Sequence, residues 1–212
     1  MLDRRIVIAA PAALLALSAG RALAAGVPAD MVAGDMSLGN PKAPVHVVEY
    51  ASLSCPHCAH FNAEVFPQLK AKYVDAGRVY FTLKEYLTDP AIVAAAGFLI
   101  ARCGGRAGYF PIVDGIFRSQ PEWRTGAIKP ILLKVAAEHG VSADRANACL
   151  GDDKAVQALD ARVKQALDVD KVESTPTVRV NGQTVDAASG ELSFADMEAA
   201  IARASAPKGR GS

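Results

Sequence analysis

An excess of charge of either sign is missing from this chain. Its 212 residues carry 23 basic and 22 acidic side chains, for a net charge of +1. Without a basic field, neither nucleic acid nor an anionic surface is indicated as a partner. Internal repeats and long low-complexity segments are absent too. After the first two dozen residues, no apolar run is long enough to cross a bilayer. Cysteine is sparse. There are four, Cys55, Cys58, Cys103 and Cys149, and only one pair has C-x-x-C spacing. That excludes a zinc site made of two C-x-x-C halves. A half-site completed by Cys103, Cys149 or His60 stays open at this point.

About half of the residues are apolar. That is enough for one well-buried core, with room for an inserted subdomain but not for two large independent domains. The N-terminus stands apart. Arg4 and Arg5 precede an uncharged apolar stretch over residues 6–19, and Ala22-Leu23-Ala24 puts small residues where a signal peptidase reads. This layout predicts a secretory signal over residues 1–24. The general secretory route is favoured, and the arginine pair also permits a twin-arginine route. Cleavage after Ala24 removes three arginines and one aspartate, taking the net charge from +1 to −1. The expected location is periplasmic, where disulfides rather than reduced zinc sites are the norm.

Residues 25–44, rich in Gly, Pro, Asp and Asn, read as an extended lead-in. Residues 45–50 (Val-His-Val-Val-Glu-Tyr) read as a buried strand. From Cys58 an apolar stripe through Phe61, Val65, Leu69 and Tyr73 predicts a helix ending near Gly77, kinked at Pro67. A second strand covers 78–86. Residues 89–170 form a helical block, with helices at 90–103, 107–118, 126–139, 142–150 and 152–167. A third strand spans 176–181, Asn181-Gly182 signals a hairpin, and a fourth short strand spans 183–186. Ser193 caps a last helix over 194–204, and 206–212 is read as a disordered tail. A parallel pair from strand–helix–strand and an antiparallel pair from the hairpin imply an α/β fold, a mixed sheet with helices on its faces. The domain reading is 45–88 with 171–205, interrupted by 89–170. His46 and His139 read as ordinary residues, and Trp123, Phe110 and Phe117 as core of the helical block.

The chemistry gathers at Cys55-Pro56-His57-Cys58, where a strand ends and a helix begins. Two cysteines three apart in a first helical turn can close a small disulfide. Backbone N–H groups and the helix dipole favour the first sulfur as thiolate, Pro56 suits the first helical position, and His57 adds a donor and, when protonated, a charge. A thiolate is both the attacking species and the better leaving group. Were the first thiol to ionise near pH 5.5, the reduced form would gain about 2 kcal/mol at pH 7, or about 45 mV. That is oxidant behaviour.

These residues resemble the DsbA family of the thioredoxin superfamily. The resemblance rests on four features: the strand into Cys-Pro-His-Cys, the helical block after the second strand, Thr175-Pro176 before the third, and the Asn181-Gly182 hairpin. It covers nearly all of residues 35–205. It implies a thioredoxin fold with an inserted helical subdomain. Cys55 is then the nucleophile, Cys58 the buried resolving thiol, Pro56 and His57 the tuners of potential, and Thr175 with a cis Pro176 the substrate-facing loop. Cys103 and Cys149 are implied to form a structural disulfide closing a loop of about 45 residues, worth roughly 4 kcal/mol in the loop-entropy model. Glu49, on a strand expected to be buried, is a candidate proton relay to Cys58, with Lys84 on the neighbouring strand as its partner. No cofactor beyond the Cys55–Cys58 disulfide is implied. The implied partners are folding exported polypeptides and a DsbB-like membrane quinone reductase, with the chain itself a monomer. Thr175 departs from the valine of the best-known members and is similar to isomerases and some reductases of the superfamily. An isomerase or reductase is thus one alternative, and a metal-binding or holdase module another.

Overall fold

The structure is a computed structural model that describes residues 26–124 and 126–206. The expected signal segment and all of the expected tail except Ala206 lie outside the described residues. A short helical turn, α1 (Ala29–Val32), leads into β1 (Met36–Gly39) and β2 (Val45–Ala51). Helix α2 (residues 56–74) follows, then β3 (Val79–Glu85). The helical block comprises α3 (Ala91–Cys103), α4 (Gly105–Ser119), α5 (Ile128–Glu138), α6 (Ala143–Leu150) and α7 (Asp153–Lys164). Then come β4 (Thr177–Val180), β5 (Gln183–Thr184) and α8 (Phe194–Ser205).

The five strands form one mixed sheet in the order β1-β3-β2-β4-β5. Only β2 and β3 are parallel, and the other pairs run antiparallel. This is a thioredoxin fold with a helical insertion. One expectation is corrected here. Residues 25–44 are no mere lead-in, because Met36–Gly39 pairs with β3 and closes that edge of the sheet. The expected hairpin is present: Asn181 and Gly182 both have positive φ, 47° and 83°, the geometry of a primed turn that matches strand twist.

The proline inside α2 is absorbed rather than fatal. Pro67 cannot donate its i→i−4 bond, and the helix widens into π-type turns at Phe61–Val65 and Lys70–Val74. Its buried stripe of Phe61, Val65, Leu69 and Tyr73 stays on the sheet. Ser193 caps α8 in a capping box with Asp196, which fixes where the preceding loop enters. Within the helical block, Cys103 and Cys149 are bonded to each other, which takes both sulfurs out of reach of any metal half-site at Cys55 and Cys58.

A charged cluster lies inside the apolar interior. Glu85 at the end of β3 accepts from Arg102 Nε (2.7 Å) and Tyr109 Oη (3.0 Å) with one oxygen, and from Arg162 Nε (2.8 Å) with the other. Arg102 is fully buried and also donates to the carbonyls of Met31 and Gly34, while Arg162 donates to that of Val32. The cluster therefore joins sheet, helical block and the residues before β1.

Candidate active site

The loop between β2 and α2 is held from three sides. Ser52, Ser54 and Thr88 share hydroxyl hydrogen bonds, and Ser52 Oγ also accepts from the Thr88 N–H at 3.0 Å. The Gln120 amide, from the end of α4, donates to the carbonyls of Leu53 (2.9 Å) and Cys55 (3.1 Å). Gly97 on α3 packs so closely that a Cβ there would sit 2.8 Å from Leu53 Cδ1. The helical block thus sets the position of the residue that carries the first sulfur.

Cys55 occupies the N-cap of α2 with Pro56 as the first helical residue. Cys55 is 6% exposed and Cys58 is 0% exposed, and both are free thiols in this structure. Their environments differ sharply. Cys55 is pulled down to about 5, first by the hydrogen bond from the Cys58 thiol and then by Thr175 and the backbone N–H groups of Cys58 and His57, against its partial desolvation. Cys58 is pushed well above the ordinary thiol range, chiefly by burial and then by its bond to Cys55 and the nearby Glu49. At neutral pH the pair therefore holds one anionic sulfur and one protonated sulfur. The Cys58 thiol supplies most of the first half of that asymmetry, and the helix-terminal N–H groups add to it.

Opposite the sulfurs lies the loop before β4. The Thr175–Pro176 peptide bond is cis, and Cys55 Sγ lies 3.4 Å from the Thr175 carbonyl, to which it donates when protonated. Thr175 Oγ1 is buried and has no partner among the described residues, so its O–H is free to turn toward the sulfur. Two open features flank this point. One is a cleft of about 310 Å³ between His57, His60, Thr175, Pro176 and Glu191. The other is a more apolar groove of about 660 Å³ lined by Pro56, Ala59, Phe117, Pro121, Trp123 and Ile128. Trp123 is thus half-buried at the wall of a groove beside Pro56, rather than plain core.

Glu49 and Lys84 part company. Glu49 pairs in register with Leu83, and Tyr50 with Lys84, so alternation puts Glu49 and Lys84 on opposite faces of the sheet. Lys84 donates to Asp170 at 2.7 Å and lies over the Tyr50 ring. The expected Glu49–Lys84 partnership is corrected: Lys84 belongs to a charged cluster on the far face. Glu49 is buried on the face that carries Cys58, and its Oε1 has no hydrogen-bond partner among the described residues. Burial raises Glu49 to about 8, with the Cys55 charge adding to it.

That raised value has a measurable sign. The folded protein keeps a proton on Glu49 that the unfolded chain releases near pH 4.5. Stability is therefore lost as pH rises from about 4.5 toward about 8. Measured by urea unfolding, Glu49→Gln should show no such loss, and the difference between the two proteins should reach on the order of 3 kcal/mol at pH 7 relative to pH 4. Parallel pH slopes for variant and parent would show that Glu49 is ionised in the fold.

Two contributors had no sequence signal. Gln120 is one. The other is Glu191, in the loop before α8, whose Oε1 lies 2.7 Å from His57 Nδ1.

The profile of the thioredoxin family matches residues 32–203. The chain belongs to the thioredoxin family. Among its relatives in that family, a putative protein-disulfide oxidoreductase of Rickettsia bellii is 33% identical over 150 residues, which cover 70% of this chain and 57% of that one. The chain thus spans little more than half the length of this relative. A probable disulfide bond formation protein D of Bacillus cereus is 32% identical over 158 residues, or 69% of each chain. The crystal structure of alpha-DsbA1 from Wolbachia pipientis superposes with a TM-score of 0.70 at 25% identity, covering 80% of this chain and 90% of that one. This thioredoxin-family chain therefore shares both fold and sequence with proteins named for disulfide chemistry. Among its described residues, no helix is long and apolar enough to cross a membrane.

Proposed function

We propose that the protein is a thiol:disulfide oxidoreductase that introduces disulfides into exported polypeptides in the periplasm. The observation that carries this reading is the asymmetry of the two sulfurs, with Cys55 pulled down to about 5 at the helix start and Cys58 buried and pushed up behind it. In the oxidised form, a client thiolate attacks Cys55 Sγ. The Cys55–Cys58 bond breaks, and its electron pair goes to Cys58 Sγ, which takes up a proton. Glu49, protonated at neutral pH on the same face of the sheet, is suited to supply it. A second client thiolate then attacks the client sulfur of the mixed disulfide, and Cys55 leaves as a stabilised thiolate. The client gains a disulfide and the protein becomes a dithiol. Thr175 and Pro176, facing Cys55, offer backbone contacts to the client strand, and the apolar groove beside Pro56 accepts its side chains. The dithiol then needs an electron acceptor, for which a DsbB-like membrane quinone reductase is the proposed class.

Stabilising the Cys55 thiolate favours the reduced protein. With ionisation near pH 5, the gain at pH 7 is about 2 kcal/mol after allowance for solvent screening. That raises the potential by roughly 45 mV. Equilibration with glutathione mixtures, read by alkylation and mass, should give a potential clearly less negative than the roughly −270 mV of thioredoxin. A value as reducing as thioredoxin's would favour the reductase use of this fold, which Thr175 before the proline also suits.

A further inference from the structure

We propose that Glu191 is a positioning residue of the active site, anchoring the His57 imidazole as a cation beside Cys55 and so setting how firmly that sulfur is held as a thiolate. The inference rests on the reading of Cys55 as the exchanging thiol.

Glu191 lies 134 residues from His57 and meets it across the cleft. One carboxylate faces two imidazoles: Oε1 is 2.7 Å from His57 Nδ1, and Oε2 is 3.6 Å from His60 Nε2. His57 and His60 are three apart on α2, so one helix face presents both to the same anion. The loop that carries Glu191 is not free to wander. Leu192 packs against the core, and Ser193 begins the capping box of α8. With Nδ1–H given to the carboxylate, the ring orientation is fixed and its second nitrogen is left to the solvent side. The other titratable groups here are Asp186 and His60 in the same cleft, and Cys55 at the helix start. No lysine or arginine lines the cleft among the described residues, so the histidines are its only source of positive charge. The Glu191 bond is the main cause holding His57 above the ordinary imidazole range, with a smaller lift from the Cys55 charge.

The consequence depends on pH in a way a merely structural contact does not. Glu191 is itself negative and opposes the thiolate, while the cation it keeps on His57 favours it. Below about pH 6 an ordinary imidazole is already protonated, so loss of Glu191 removes only the opposing charge. In the window just above the ordinary imidazole value, where the parent holds its proton longer, loss of Glu191 lets His57 discharge, and the sulfur loses its cationic neighbour.

The test uses Glu191→Gln in the full chain. His57 is titrated by NMR in the reduced protein, and the glutathione equilibrium is measured at pH 5.5 and at intervals through the His57 titration of parent and variant. The His57 midpoint should fall toward that of an ordinary imidazole. The parent-to-variant ratio of equilibrium constants, written toward the reduced protein, should be at or below one at pH 5.5 and rise to about threefold between the His57 midpoints of variant and parent, the scale of an exposed ion pair. In a His57→Ala background, Glu191→Gln should make no further difference to the rise with pH. An unmoved His57 midpoint, a ratio flat with pH, or a rise that persists without His57 overturns the proposal. If no exchange with glutathione occurs at any pH, the reading of Cys55 fails, and the His57 titration alone then decides whether the contact exists.

Discussion

Cys55→Ser abolishes dithiol–disulfide exchange, with the rate of oxidation of a dithiol peptide falling by roughly a thousandfold or more. A serine hydroxyl cannot form the mixed disulfide, and no other sulfur is placed to replace it. Cys58 is fully buried, and Cys103 and Cys149 are bonded to each other. The fold should be unaffected, because Cys55 sits at the edge of the core and a serine hydroxyl of similar size can keep its contacts with the Thr175 carbonyl and the helix N–H groups. Cys58→Ser gives the complementary result. Attack on a client disulfide still occurs at Cys55, but resolution does not, so a stable mixed disulfide accumulates and is visible by mass. Residual turnover in Cys55→Ser would mean that another thiol carries the chemistry. Loss of the folded signal in circular dichroism would mean that Cys55 is structural.

Arg102→Ala should cost about 4 kcal/mol in urea unfolding, more than any surface substitution. The side chain is fully buried and makes three charge-assisted bonds, to Glu85 and to the carbonyls of Met31 and Gly34. Truncation leaves Glu85 a buried anion with Arg162 and Tyr109 but without its fully buried cation, and strands two carbonyls of the segment before β1. Removing one member of a buried ion pair exposes the full desolvation cost of the other, whereas the intact pair contributes little net stability. A second readout separates this from a generic cavity. Amide exchange at residues 26–35 should accelerate together with the loss of stability, since those residues are tied down by Arg102 and Arg162. A loss below about 1 kcal/mol would show that the ion pair is replaced by water.

The sequence made the active-site helix and its motif plain because both depend on local rules. A strand of β-branched residues, a cysteine pair in the first turn, and a proline at the first helical position all act within a few residues. The helices of the insertion were legible for the same reason, to within a few residues at their ends. What escaped depends on register and on long-range pairing. Met36–Gly39 has four residues and ends in glycine, so no alternation could mark it as an edge strand. Glu49 and Lys84 sit on neighbouring strands, but a one-residue difference in alignment decides whether they share a face, and that alignment is set by packing. Arg102 reads as a polar interruption of an apolar helix until Glu85 is found beside it. Gln120 and Glu191 reach the site from 65 and 134 residues away in sequence, and nothing local distinguishes them from other polar surface residues.

The two walls of the active site come from distant parts of the chain. Cys55 follows β2, and Thr175, which faces it, comes 120 residues later. A polypeptide still emerging from the ribosome or a translocation pore carries both cysteines long before it carries the opposing loop, β4 or α8. Until those arrive, the first sulfur lacks the Thr175 side of its surroundings, and β2 lacks its β4 neighbour. The active site is therefore complete only once the chain has been made through Glu191.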